Sequence, residues 1–287
     1  MEQASSGTSA GNLQAIAFDK PQLAAHILCV FALRLLMRDQ SMQTVIQAKA
    51  DQGSRNLVFV DVLSYAITGE LIGMANYAAM VRLHDDPGEQ MAAVRHAASE
   101  LGHAEAFRRA ARATGLTPIV NLEAQGWRDI RRVFAEYADK RDLLACLIIQ
   151  EVMLESFAVA LYKAMSEIAD PELASVFRSV SNDEAGHVAH AVDELQGAFR
   201  ADPDGFEAKA GRLNDEVMYY LAHMVAARDN TGPCGLCQGH CLKESISTVG
   251  LERTELRGRA INKYLQTLDA IGVRGERSLS WVARLPL

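Results

Sequence analysis

Proline is scarce in this chain of 287 residues, with seven in all. Proline breaks helix interiors, so its scarcity leaves room for long unbroken helices. Aromatic residues make up only 6%, and Val and Ile are not gathered into the alternating runs that mark strands. There is no basic tract, and the net charge is −7. That balance excludes nucleic acid and anionic membrane as natural partners. The first twenty residues lack the basic and apolar regions of a secretory signal and read as a flexible tail over 1–20. The most apolar stretch, Leu23 to Met37, is broken by His26 and Arg34 and is too short to span a bilayer. Five cysteines, an odd number, give no sign of a disulfide framework. A cytoplasmic protein without a membrane span is expected.

What the chain does have is apolar content, 49% of residues, much of it at the i, i+3, i+4 spacing of helices. The pattern predicts helices near 21–50, 57–84, 88–114, 126–138, 141–168, 171–199, 205–228 and 250–271. The breaks between them are cap and turn chemistry: Asp85-Asp86-Pro87-Gly88, Gly115-Leu116-Thr117-Pro118, Asp170-Pro171 and Asp202-Pro203-Asp204-Gly205. Long helices with short connections imply an all-α bundle of antiparallel neighbours, one domain over 21–287. A Gly- and Cys-rich loop at 229–245 interrupts the pattern.

Within this apolar frame a Glu-x-x-His pattern occurs twice, as Glu100-Leu-Gly-His103 and Glu184-Ala-Gly-His187. Residues three apart on a helix share a face, so each pair can aim a carboxylate and an imidazole at one point. A single pair is ordinary helix surface. Two pairs are not, because each follows a glutamate in an apolar helix: Glu70 lies 30 residues before Glu100, and Glu155 lies 29 before Glu184. Glutamates in such surroundings are costly unless paired or bound to metal. Two successive hairpins can thus converge four glutamates and two histidines. Carboxylate-rich sets with one imidazole per metal suit iron or manganese better than a structural zinc. The layout is that of the ferritin-like dimetal carboxylate bundles. His96 and His190, each one turn from the pairs, read as supporting or packing neighbours. Cys29 and Cys146 lie in apolar helices and read as core.

The sequence resembles the aldehyde-deformylating oxygenases (aldehyde decarbonylases) of the ferritin-like superfamily. The likeness runs through GELIGMANYAAM, ASELGHAEAFRRAARATGL, CLIIQEVMLESFAVALYKAMSEIADPELASVF and SVSNDEAGHVAHAVDEL, roughly residues 57–228 and more weakly 250–283. The ligand spacing agrees across all four helices, including the 52-residue step from His103 to Glu155. The resemblance implies a ferritin-like four-helix bundle with flanking helices. It implies two irons (Fe/Fe, or Fe/Mn) held by Glu70, Glu100, His103, Glu155, Glu184 and His187, the two Glu-x-x-His glutamates bridging or capping the metals. It also implies dioxygen as co-substrate, a ferredoxin-type electron donor, and conversion of long-chain aldehydes to alkanes and formate. Asp183, Tyr77 and Tyr162 match family positions that orient the histidines or border the substrate, although core packing explains tyrosines equally well. Val58, Phe59, Val62, Ile72, Phe157 and Leu161 are candidates to line the cavity.

Two features depart from that family. Glu151, one turn before Glu155, stands where the family has a small apolar residue. It can be an extra ligand, a proton donor, a polar substrate contact or a glutamate turned to a helix interface. A charge in a channel for an alkyl chain is expensive, which favours a shorter or more polar substrate. The second departure is Pro233-Cys-Gly-Leu-Cys-Gln-Gly-His-Cys241. There Cys234, Cys237, His240 and Cys241 can hold zinc or an iron–sulfur cluster, exchange as a redox pair, or simply stay reduced. Hydroxylation, N-oxygenation or oxidative C–C cleavage of a small-molecule substrate therefore stands beside deformylation, and iron storage as a ferroxidase is the reading from another class.

Overall fold

The computed structural model describes residue 53 and residues 55–224 and 246–286. The expected tail over 1–20, the expected helix over 21–50, and the loop at 229–245 with Cys234, Cys237, His240 and Cys241 lie outside the described residues.

Every regular element among the described residues is helical, as expected of an all-α chain. Helix α1 spans Arg55–Met80, α2 Pro87–Ala113 and α3 Gln125–Asp139. Helix α4 runs over Leu143–Ile168 and α5 over Pro171–Ala201. Helix α6, Pro203–Leu213, continues through a π-helical turn, Asn214–Met218, into α7, Tyr219–Met224. Beyond the undescribed stretch come α8, Arg253–Ile271, and α9, Gly275–Val282.

Two of the three Asp-Pro junctions cap their helices through the aspartate side chain, whereas Asp170 precedes α5 without such a bond. Asp86 caps α2 by accepting from the Glu89 N–H at 3.0 Å, with Pro87 in the first turn where its missing donor does no harm. Asp202 does the same for α6 through the Gly205 N–H, 3.0 Å away. Asp142 caps α4 through the Ala145 N–H at 3.1 Å. Helix α8 ends at Gly272, whose φ of 115° suits glycine alone. A Cβ there would also come within 2.9 Å of the Phe199 ring.

Two features were not legible in the periodicity. Helix α4 is α-helical at both ends but π-helical over Ile148–Leu154, where i→i+5 bonding widens the turn and rotates the residues that follow. The C-terminal stretch folds back as α9 and is tied to α6. Arg274 donates to the buried Glu207 at 2.9 and 3.0 Å, and that contact holds the Glu207 carboxyl below its usual range.

Helices α1, α2, α4 and α5 form the ferritin-like four-helix bundle, and α3, α6, α8 and α9 flank it. Helix α3 presents Trp127, Ile130, Val133 and Phe134 to the core along one stripe. Helix α8 docks on α4, where the buried hydroxyls of Ser156 and Thr267 meet at 2.9 Å. Helices α1 and α4 are long and apolar enough to cross a membrane, with mean hydropathies of 1.6 and 1.9. Their apolar windows are 72% and 78% buried within the protein, so the bundle core accounts for that composition. Cys146 is fully buried there, as expected.

Ile130 is completely buried on α3. Ile130→Ala is expected to cost about 2–5 kcal/mol through lost burial and a residual cavity. The measurement is the denaturant midpoint, which should fall while metal content per folded chain stays unchanged.

Candidate dimetal centre

The four core helices bring the six expected residues to one point at mid-bundle. None is more than 6% exposed. Two overlapping groups form: Glu70, Glu100, His103 and Glu184 make one, and Glu100, Glu155, Glu184 and His187 make the other. Within each group the candidate ligand atoms all lie within 4.8 Å of one another. Glu100 and Glu184 belong to both, so the two Glu-x-x-His glutamates stand between two positions. Each position has one further glutamate and one imidazole of its own.

The contacts are those of atoms gathered around a shared point. His103 Nδ1 lies 3.1 Å from Glu70 Oε2 and 2.9 Å from Glu184 Oε1. His187 Nδ1 lies 2.9 Å from Glu184, 3.2 Å from Glu100 and 3.8 Å from Glu155. Yet His187 Nδ1, Glu100 Oε1 and both Glu184 oxygens have no hydrogen-bond partner. They are close without being aimed at one another. Buried polar atoms left unpaired cost about 1–3 kcal/mol each and more when charged, so their survival at the core calls for an ion. Four carboxylates are neutralised by two divalent cations, and the donor set fits iron or manganese. By this test the residues fit a dimetal centre.

Electrostatics point the same way. Burial, and then the neighbouring carboxylates, push Glu100 and Glu184 well above the ordinary carboxylate range. Burial also opposes the charged form of His103, but the adjoining Glu184 and Glu70 hold its pKa up at about 10. His187 is raised likewise by Glu100, Glu155 and Glu184 against its own burial.

The supporting residues repeat the internal symmetry with an exchange of partners. Tyr77 lies seven residues after Glu70 but donates to Glu155 Oε1 across the bundle, at 3.0 Å. Tyr162 lies seven residues after Glu155 and donates to Glu70 Oε1. Burial and the surrounding carboxylates raise both phenols well above their usual range, so both remain donors. Asp183 Oδ2 stands 3.4 Å from the far nitrogen of His103. That nitrogen also meets the Ser99 hydroxyl at 3.3 Å.

Three residues that motif reading passed over complete the surroundings. Gln150 is buried, donates to Glu155 Oε1 at 2.9 Å and accepts from Asn76 Nδ2 at 2.7 Å. Gln150 lies within the π-helical turn. Gly73 on α1 faces Glu100 so closely that a Cβ would meet Glu100 Oε2 at 2.5 Å. A lone amide in LLACLIIQEVMLE, and polar or glycine breaks in the apolar face of α1, were the available signals.

Beside the centre lies a small cavity of about 40 Å³. It is bounded by Glu70, Glu100 and Glu155 at one end and by Tyr65, Trp127, Phe157 and Leu161 along its apolar walls. Phe157 and Leu161 are therefore where the apolar pattern suggests, whereas Val58, Phe59 and Val62 are bundle core and Ile72 lies away from this cavity. Glu151 is not in its lining.

Comparison with known proteins bears on the same residues. A family model for long-chain fatty aldehyde decarbonylase matches residues 57–230. The chain belongs to that family. A solved structure, protein 19 with aldehyde deformylating oxidase activity from Synechococcus, superposes with a TM-score of 0.65 at 20% identity, covering 82% of this chain and 97% of that one. At that identity the likeness speaks for the fold. Family membership makes this chain an enzyme, a non-haem di-iron oxygenase of a family whose reaction is aldehyde deformylation. Its buried Glu and His groups are able to hold the metals.

Two outcomes follow. Gly73→Ala, which drives Glu100 aside, is expected to lower bound metal, while Gly102→Ala, which meets nothing within 4 Å, leaves it intact. Metal analysis of the purified variants reads this directly. Metal must also displace the proton that His103 holds up to about 10. Loading should therefore release protons and strengthen as pH rises toward about 10, above which His103 has no proton left to displace. Calorimetry in buffers of different ionisation enthalpy measures both effects.

Proposed function

We propose that this chain deformylates an aldehyde at two iron ions held by Glu70, Glu100, His103, Glu155, Glu184 and His187. The observation that carries this reading is the pair of buried ligand groups sharing Glu100 and Glu184. Glu70 and His103 would serve one ion, Glu155 and His187 the other, and the shared glutamates both. When bound, the irons supply activation of dioxygen at the expense of electrons from a donor of ferredoxin type.

The chain's own residues do the rest. Tyr77 and Tyr162 each hold a proton against a terminal carboxylate, Glu155 and Glu70, and fix which oxygen is left facing the ion. Asp183 and Ser99 hold the ring of His103 from behind. Gln150 and Asn76 restrain Glu155 from the cavity side. Tyr65, Trp127, Phe157 and Leu161 offer an apolar wall to the hydrocarbon part of the substrate and keep bulk water from the carbonyl end. The rings of Tyr65 and Trp127 pack at 4.9 Å and set that wall. Burial of α1 and α4 in the bundle supports a soluble enzyme, and the need for a reductant supports a cytoplasmic setting.

The test supplies an aldehyde, dioxygen and a chemical reductant to the iron-loaded chain, and measures formate together with a hydrocarbon one carbon shorter. Both are expected. Iron-loaded protein that yields neither sinks deformylation and leaves another oxygenation of a small molecule. Glu100→Ala and His187→Ala are expected to lose bound iron and product together.

A further inference from the structure

Glu151 has no task in the reading above, yet it is only 3% exposed and its Oε2 has no hydrogen-bond partner. It is flanked by two imidazoles. His96 Nδ1 stands 3.9 Å from Glu151 Oε1, and His190 Nδ1 stands 3.9 Å from Glu151 Oε2. Neither ring nitrogen has a hydrogen-bond partner. The two rings meet edge to face with centroids 5.0 Å apart. The three ligand atoms lie within 4.8 Å of one another.

The spacing identifies what belongs between them. At 3.9 Å a direct hydrogen bond is out of reach. A bridging water about 2.8 Å from each atom, at a tetrahedral angle, sets them about 4.6 Å apart. Two ligands bound about 2.1 Å from one ion stand about 3.0 Å apart at a right angle and about 4.2 Å apart when opposite. The two imidazole-to-carboxylate separations, one to each oxygen of Glu151, lie inside that last interval. Two imidazoles and one carboxylate form a donor set for first-row transition metals, whereas magnesium and calcium prefer oxygen.

We propose that His96, Glu151 and His190 bind a third metal ion, a single divalent first-row transition metal, one helical turn from the dimetal centre. Each ligand comes from a helix that also serves that centre. His96 lies four residues before Glu100, Glu151 four before Glu155, and His190 three after His187. No residue is shared between this group and the two central groups, whereas His190 also stands in a more exposed group with Glu89 and Glu194. The His96 ring is held by neighbours on two sides. It lies against the His187 ring at 4.4 Å and meets the Tyr77 ring edge to face at 5.0 Å. On the outer side His190 Nε2 lies 3.2 Å from Glu89 Oε2, an ion-pair distance without hydrogen-bond geometry. His190 and Glu89 are about a third exposed, which gives the ion a way in from solvent.

The site does not depend on the roles assigned to the six central residues, and metal counting separates the two. Full-length protein is stripped with chelator, reloaded with zinc, and assayed for metal per chain by mass spectrometry. Glu151→Gln and His190→Ala are each expected to bind one equivalent fewer than the parent. Glu184→Ala is expected to lose the central equivalents and keep the one that depends on Glu151. The cobalt form shows whether the lost equivalent belongs to thiolates, since an ion on Cys234, Cys237 or Cys241 carries sulfur-to-metal absorption and this one must not. Circular dichroism melting establishes that each variant is folded. Folded Glu151→Gln and His190→Ala proteins that bind as much metal as the parent overturn the third site. An unchanged count in Glu184→Ala overturns the central ligand assignment instead.

Discussion

The whole architecture is organised around an electrostatic burden at its centre. Four carboxylates and two imidazoles are withdrawn from water among Ile, Leu, Phe and Ala side chains. A lone ionised carboxylate in such a place is costly enough that proteins usually neutralise it. Here several ligand oxygens and a ring nitrogen are left without hydrogen bonds at close quarters, an arrangement that cations stabilise and an apolar core alone does not. The rest of the bundle supplies the opposite term. Side chains such as Phe107, Phe177, Ile148 and Ile149 are completely buried around the centre, and each contributes on the order of 1.5–3 kcal/mol of burial. The centre can be this polar because its shell is this apolar.

The two hairpins answer one another closely, but they do not function separately. Each supplies a glutamate, a Glu-x-x-His pair and a tyrosine at matching offsets. Each tyrosine serves the glutamate of the other hairpin. The crossing hydrogen bonds from Tyr77 to Glu155 and from Tyr162 to Glu70 tie α1 to α4 at the level of the six central residues. Pulling one hairpin away would strand a buried carboxylate on the other, which links integrity of the centre to integrity of the bundle.

Where the symmetry fails is as informative as where it holds. The π-helical stretch in α4 turns Gln150 toward the cavity and Glu151 toward His96 and His190. One widened turn thereby supplies the cavity side with a neutral amide and the far side with a carboxylate. On the cavity side the amide stands with Glu70, Glu100 and Glu155, while Glu151 lies outside the cavity lining and beside two imidazoles.

The sequence by itself determined the fold class and the six central residues. Helical periodicity, Asp-Pro caps and a twice-repeated spacing are local or arithmetic signals, and they survive translation into three dimensions because a helix keeps residues three and four apart on one face. The tertiary structure alone decided the exchange of tyrosine partners, the closeness of Gly73 to Glu100, and the direction of Glu151. Each depends on how one helix is rotated against another, and the π turn alters that rotation without any change in hydrophobic pattern. His96 and His190 show the limit most clearly. Ninety-four residues apart in the chain, they resemble packing neighbours of two separate motifs. Only the rotation of α4 between them, which brings in Glu151, makes them members of a single group.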